Sequence, residues 1–158
     1  MTSPALQEWP PSHNGYRRSE VSAVVGWGDA AWERAARDVL RWKVKTASGF
    51  TVDQPGRVSP GDRVAVTAHF LGMAVVEAVE VAEVVDEPHR AGFSYRTLPG
   101  HPVSGEEAFI VHRHGGEVRL TIRSLTRAAP QQPWRALFPV LLMVQRMVRR
   151  RYVKALLD

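Results

Sequence analysis

From Arg63 onward the chain alternates. Val64, Val66, Ala68 and Phe70 fall on one side, with polar or small residues between them, the period of a strand that buries one face. Leu71-Gly72 turns this segment into "MAVVEAVEVAEVVDE", whose β-branched content favours a long strand over a helix. After a turn at "DEPHR", "AGFSYRTL" runs back with Phe93, Tyr95 and Thr97 on one side. "EEAFIVHRH" and "EVRLTIRSL" follow, joined at Gly115-Gly116. Two stretches carry the helical period instead. In the first, Trp32, Ala36, Val39 and Leu40 form a stripe with Ala35 and Trp42 at its margin. That helix is capped by Asp29, with or without Gly28, and ends near Ser48-Gly49. In the second, Leu137, Leu141, Val144, Val148 and Tyr152 form the seam of a helix from Gln132 to Leu157, with Trp134 and Leu156 near its ends. Pro133 suits its first turn and Pro139 bends it. At ~1.5 Å per residue that helix spans roughly 39 Å.

A short strand at Glu20–Gly26 precedes the first helix, and "GFTVD" follows it as another. The stretch "VSAVVGWGDAAW", with Asp53 downstream, has the look of a dinucleotide fingerprint. That fold needs parallel strands alternating with helices. Between Phe50 and Pro130 there is no helical period, and the strands follow one another through short turns, which requires antiparallel pairing. Gly26 and Gly28 therefore read as a tight turn into a helix. The predicted fold is α+β: a curved antiparallel sheet of about seven strands wrapped around a long C-terminal helix, with one further helix after the first strand. This is the helix-grip arrangement, and a cavity between sheet and helix suits a small apolar ligand. Residues 1–15, polar and broken by proline, read as a flexible segment ahead of a single domain at 16–158.

If the Gly-Gly hairpin has a two-residue loop, its register is fixed. His114 opposes Glu117. One face then pairs Val111 with Leu120, Phe109 with Ile122 and Glu107 with Ser124, while the other pairs His112 with Arg119, Ala108 with Arg123 and Glu106 with Leu125. The first face is the inner one, so Glu107 points in and Glu106 out. An inward carboxylate needs a partner, and Ser124 supplies one hydrogen bond. Tyr95, Thr97, His101, Glu107 and Ser124 form the candidate polar cluster, and Gln145, close to the helix seam, joins them as a ligand contact. Three roles are open to Glu107: bracing the loop around Gly100–Gly105, touching a ligand, or moving a proton with a pKa raised by burial. His112 and His114 share a strand face as a paired-imidazole metal site would, but on the outer side and with no third ligand, so no metal is expected. Asp86, Glu87, His89 and Arg90 read as a solvated turn, with a local pairing of Arg90 and an acid as the alternative.

Composition changes this picture little. The 158 residues contain no cysteine, which excludes disulfides and thiolate metal sites and fits a reducing cytoplasm, the expected location. The N-terminus has no apolar core of a signal peptide, and the run "FPVLLMV" is far short of the roughly 20 residues of a membrane span. A net charge of +5 and a pI near 10.2 draw attention to "RMVRRRYVK", Arg146 to Lys154. Cations there suit a solvated helix end; the other reading is a surface for nucleic acid or an acidic partner. No cofactor is expected.

"VVDEPHRAGFSYRTLPGHPVSGEEAFIVHRH" resembles the signature of the domain-of-unknown-function family nineteen-ninety, most specifically in "TLPGHP" and "GEE" at Thr97–Pro102 and Gly105–Glu107. "GWGDAAWERAARDVLRW" and "PGDRVAVTAHFLG" are similar to its earlier blocks. The resemblance implies membership of the helix-grip, START-like proteins, which often bind lipids, steroids or polyketides; it implies no settled activity. Arg96, in place of a small residue, and "SLTRAA" depart from the pattern, and Arg96 should face outward. The leading expectation is a protein that binds a small apolar or amphipathic molecule, its polar end oriented by Tyr95, Thr97, His101, Glu107, Ser124 and Gln145. The alternatives are a cyclase- or hydrolase-like enzyme using Glu107 or His101 in the same cavity, and a nucleic-acid or acidic-partner role for the basic helix.

Overall fold

A computed structural model of the chain describes residues 1–11, 16–70, 72–98, 103–128 and 150–157. In order these form β1 (Arg17–Trp27), α1 (Asp29–Val39), α2 (Lys43–Thr46), β2 (Thr51–Val52), β3 (Arg63–Phe70), β4 (Met73–Glu87), β5 (Arg90–Thr97), β6 (Val103–His114) and β7 (Glu117–Ala128). The strands make one seven-stranded sheet in the order β1-β7-β6-β5-β4-β3-β2. Every pairing is antiparallel, so the nucleotide-binding topology is absent from this sheet. The hairpin register matches the one counted from Gly115-Gly116: His114 faces Glu117, Phe109 faces Ile122 and Glu107 faces Ser124. β6 and β7 run further than their patterning indicates, because pairing continues through Gly105 and Thr126 to Val103 and Ala128.

The sheet is bent at two places where its register slips, between Val24 and Gly26 and between Val81 and Glu83. An extra residue in one strand bends that strand and reverses the alternation beyond it. In β4 this lets Val79 and Val81 face the core before the bulge and Val84 face it afterwards. On the inner side Phe93, Phe109, Val111, Leu120 and Ile122 pack with Trp32, Ala35 and Val39 of α1.

The first helix departs from expectation. It is not one helix reaching Ser48-Gly49 but two, separated at Leu40–Trp42, and Trp42 takes the left-handed conformation at φ 65°. That conformation costs a non-glycine residue roughly 1–2 kcal/mol. Here it turns the indole into the core, edge-on to Phe93 at 4.8 Å. Trp42 and Ala35 are therefore core residues, not marginal ones. Asp29 does not cap α1 with its side chain but pairs with Arg113; the cap position belongs to Gly28 at φ 89°. A side chain at Gly26 would place its Cβ 2.8 Å from that of Ala31. Backbone conformation and close approach thus account for both glycines of the opening motif.

The expected C-terminal helix from Gln132 falls largely on residues 129–149, which lie outside the described residues. Residues 150–154 are helical, with Tyr152 and Leu156 buried in the core and Arg150, Arg151 and Lys154 exposed.

Residues 1–11, set apart by sequence as flexible, lie across the outer face of β5, β6, β7 and β1. The buried Arg123 donates from Nη1 to the carbonyls of Thr2 (3.1 Å) and Ser3 (2.8 Å), from Nη2 to that of Gln7 (2.9 Å), and from Nε to Glu20 (2.7 Å). Arg90, read from sequence as a solvated turn residue open to pairing with an acid, donates to the carbonyls of Pro4 and Leu6, each at 2.6 Å. Glu106 accepts from both the amide and the hydroxyl of Thr2, so it points outward as the register requires. Ser3, at φ 47°, supplies the bend that turns these carbonyls inward.

His112 shares this outer face. Burial, then the charges of Arg90, Arg119 and Arg123, lower its pKa below the ordinary imidazole value despite the opposing effect of Glu117. The unfolded chain therefore binds more protons than the folded one just below about pH 6.5, and stability is lost as the pH falls through that range. Denaturation midpoints should drop from pH 7 to pH 5, and His112→Gln should flatten that slope.

Candidate functional site

The register of three strands builds the site. Tyr95 on β5 stands beside Glu107 on β6, which stands beside Ser124 on β7, giving a polar row across an otherwise apolar inner face. All three are buried. The Tyr95 hydroxyl donates to Glu107 Oε1, and the Ser124 hydroxyl donates to Oε2 at 3.3 Å. The turn at Trp42 then directs Lys45 of α2 onto the row. Its Nζ lies 3.6 Å from Glu107 Oε1 and donates to the Tyr152 hydroxyl at 2.6 Å. The rings of Phe50, Tyr152 and Tyr95 surround the ammonium at 4.4, 5.0 and 5.5 Å. Phe109 closes the group, 5.3 Å from the Tyr152 ring and 6.1 Å from that of Tyr95.

These groups fix one another's protonation. Burial works against the charge of Lys45, but its electrostatic partners, the phenolic oxygens of Tyr152 and Tyr95 and then Glu107, outweigh burial and hold its pKa well above the ordinary lysine value. Burial, then the charge of Glu107, pushes the Tyr95 phenol well up. Tyr152 is raised as well, chiefly by burial, against the lowering influence of Lys45. At neutral pH Lys45 is thus an ammonium and both tyrosines are neutral phenols. A lysine held in its charged form does not serve as a nucleophilic amine. The arrangement is suited to hydrogen bonding and to fixed charge.

Of the residues singled out by sequence, Tyr95, Glu107 and Ser124 come together. Thr97 sits half-buried beyond them, and its hydroxyl accepts from the Gly105 amide at 3.0 Å. That amide belongs to the loop that Glu107 was expected to brace. His101 and Gln145 lie outside the described residues. His112 bonds Thr121 Oγ1 at 3.0 Å on the opposite face, His114 is exposed, and among the described residues no group of three or more side chains could hold a metal. Arg96 points outward and meets Glu80 at 3.4 Å. Sequence reasoning missed Lys45. In an unbroken helix it lies off the apolar stripe, and only the left-handed turn at Trp42 brings it inward. It also read Tyr152 as a seam residue, leaving its hydroxyl out of account.

Residues 2–155 match the family described as domain of unknown function (DUF1990). The chain belongs to that family. This DUF1990 protein is 36% identical to a UPF0548 protein of Deinococcus radiodurans, the match covering 66% of this chain and 59% of that relative's length. Among solved structures it is similar to the hypothetical protein jhp0584 from Helicobacter pylori, with a TM-score of 0.66 at 13% identity over 99% of this chain and 97% of the other. TTHA0849 from Thermus thermophilus is similar too, with a TM-score of 0.61 at 14% identity over 89% and 94%. At such identities the likeness is one of fold. No helix among the described residues is long and apolar enough to cross a membrane.

Proposed function

We propose that this DUF1990 protein binds a small apolar or amphipathic molecule against the inner face of its sheet, in a helix-grip arrangement closed by the C-terminal helix. The observation that carries the reading is the buried Lys45–Glu107 pair. Both side chains lie within an aromatic and aliphatic core, with side-chain exposures of 5% and 10%. Desolvating two charges costs about as much as their attraction returns, and apolar replacements of such pairs are often as stable or more so. Folding alone gives little reason to keep it. A polar anchor on an apolar wall is what recognition of an amphipathic molecule requires.

In this reading Glu107 and the Tyr152 hydroxyl meet the polar end of the molecule. Lys45 orients Tyr152, while Tyr95 and Ser124 fix the Glu107 carboxylate. Thr97 holds the Gly105 amide of β6, and ligand contacts are also assigned to His101 and Gln145. The basic C-terminal segment has a simpler role: Arg150, Arg151 and Lys154 are exposed while Tyr152 and Leu156 are buried, the pattern of a solvated helix face.

Native mass spectrometry of protein purified gently from its own host tests the proposal. A reproducible additional mass, released on denaturation, is the expected result. Protein that is empty and also fails to take up an apolar fluorescent dye would contradict it.

A further inference from the structure

We infer that the molecule held at this site presents an uncharged polar end, a hydroxyl or a carbonyl, and not a carboxylate, sulfate or phosphate. The inference rests on the binding reading above and narrows it. An anionic ligand needs an uncommitted cation, and Lys45 is already matched by Glu107 Oε1 at 3.6 Å. The next charge that bears on Lys45, that of Glu77, is also acidic. Glu77 stands opposite Val66 and in step with the buried Val79 and Val81, which places it on the same inner face. An entering anion would therefore be stripped of water and meet a cation already neutralised, with a second carboxylate on the same face.

A neutral group finds better partners. Among the described residues the Tyr152 hydroxyl accepts from Lys45 and has no acceptor for its own proton. Among the described residues Glu107 Oε2 accepts only the long bond from Ser124, 3.3 Å, which leaves a lone pair for a ligand hydroxyl. One donor and one acceptor, set in a wall formed by Phe50, Tyr95 and Phe109, match the end of an alcohol. A carbonyl would use the donor alone.

Two dyes with the same aromatic body test the charge rule on the full chain: neutral phenylnaphthylamine and anionic anilinonaphthalene sulfonate. The wild type should prefer the neutral dye. Glu107→Gln, which leaves Lys45 unmatched, should move the affinity ratio toward the sulfonate by roughly tenfold or more. The double variant Lys45→Met/Glu107→Gln should return the wild-type ratio. Equal affinities in the wild type, a ratio unmoved by Glu107→Gln, or the same movement in the double variant would overturn the inference while leaving the binding site in place. Failure of the wild type to bind either dye would overturn the binding reading beneath it. If Glu107→Gln does not fold, competition against the neutral dye in the wild type decides. A fatty alcohol should displace the dye and the fatty acid of equal length should not; displacement by the acid alone would overturn the inference.

Discussion

Lys45→Met and Glu107→Gln, made singly, should each lower unfolding stability by about 3–5 kcal/mol, whereas the two together should come within about 1 kcal/mol of the wild type. Each single change leaves one buried charge behind. Without Glu107, the Lys45 ammonium remains buried with the Tyr152 hydroxyl and ring faces as partners, and these do not neutralise it. Without Lys45, Glu107 keeps its bonds from Tyr95 and Ser124 but loses its counter-charge. Removing both charges removes the desolvation cost along with the attraction. Denaturant titrations of the four proteins form a double-mutant cycle, and a coupling energy of several kcal/mol is expected. Additive losses would mean that the two groups do not form a pair.

The second large effect is expected on the outer face. Arg123→Met should cost about 3 kcal/mol, because it removes a charged donor whose bonds reach Glu20 and three backbone carbonyls of the N-terminal segment. It should also release that segment, making residues 1–11 protease-sensitive and abolishing protection of the Thr2 amide, which donates to Glu106 at 2.8 Å. Arg119→Met provides the comparison. Arg119 is on the same face but more exposed, and its partner is the adjacent surface residue Glu117, so the loss should stay below about 1 kcal/mol. Equal losses from the two arginines, or an N-terminal segment as protected in Arg123→Met as before, would contradict this account of the outer face.

The sheet was legible because its information is local. Alternation along β3, β5, β6 and β7 marks the strands, and the two-residue hairpin sets a register that places Glu107 inward and Glu106 outward with nothing further assumed. Tyr95 and Ser124 follow from that register. Lys45 does not, since its position depends on one left-handed residue, Trp42, whose backbone is held by core packing and not by its own preference. The N-terminal segment was illegible for a related reason. Its polar, proline-broken sequence has no period, and what holds it is a set of carbonyl oxygens, which every residue carries, converging on two arginines far along the chain. Backbone acceptors leave no mark in side-chain patterning.

In the proposed binding reading the Lys45–Glu107 pair serves recognition more than stability. The most direct measurement compares the mass carried by wild-type protein and by the Lys45→Met/Glu107→Gln variant, both expressed in the same host and kept under non-denaturing conditions. The variant should be folded and about as stable as the wild type, yet its occupancy should be reduced by about tenfold or more, the loss of roughly one ion-anchored hydrogen bond. A double variant that holds the same molecule at the same occupancy would show that the buried pair has no part in binding it.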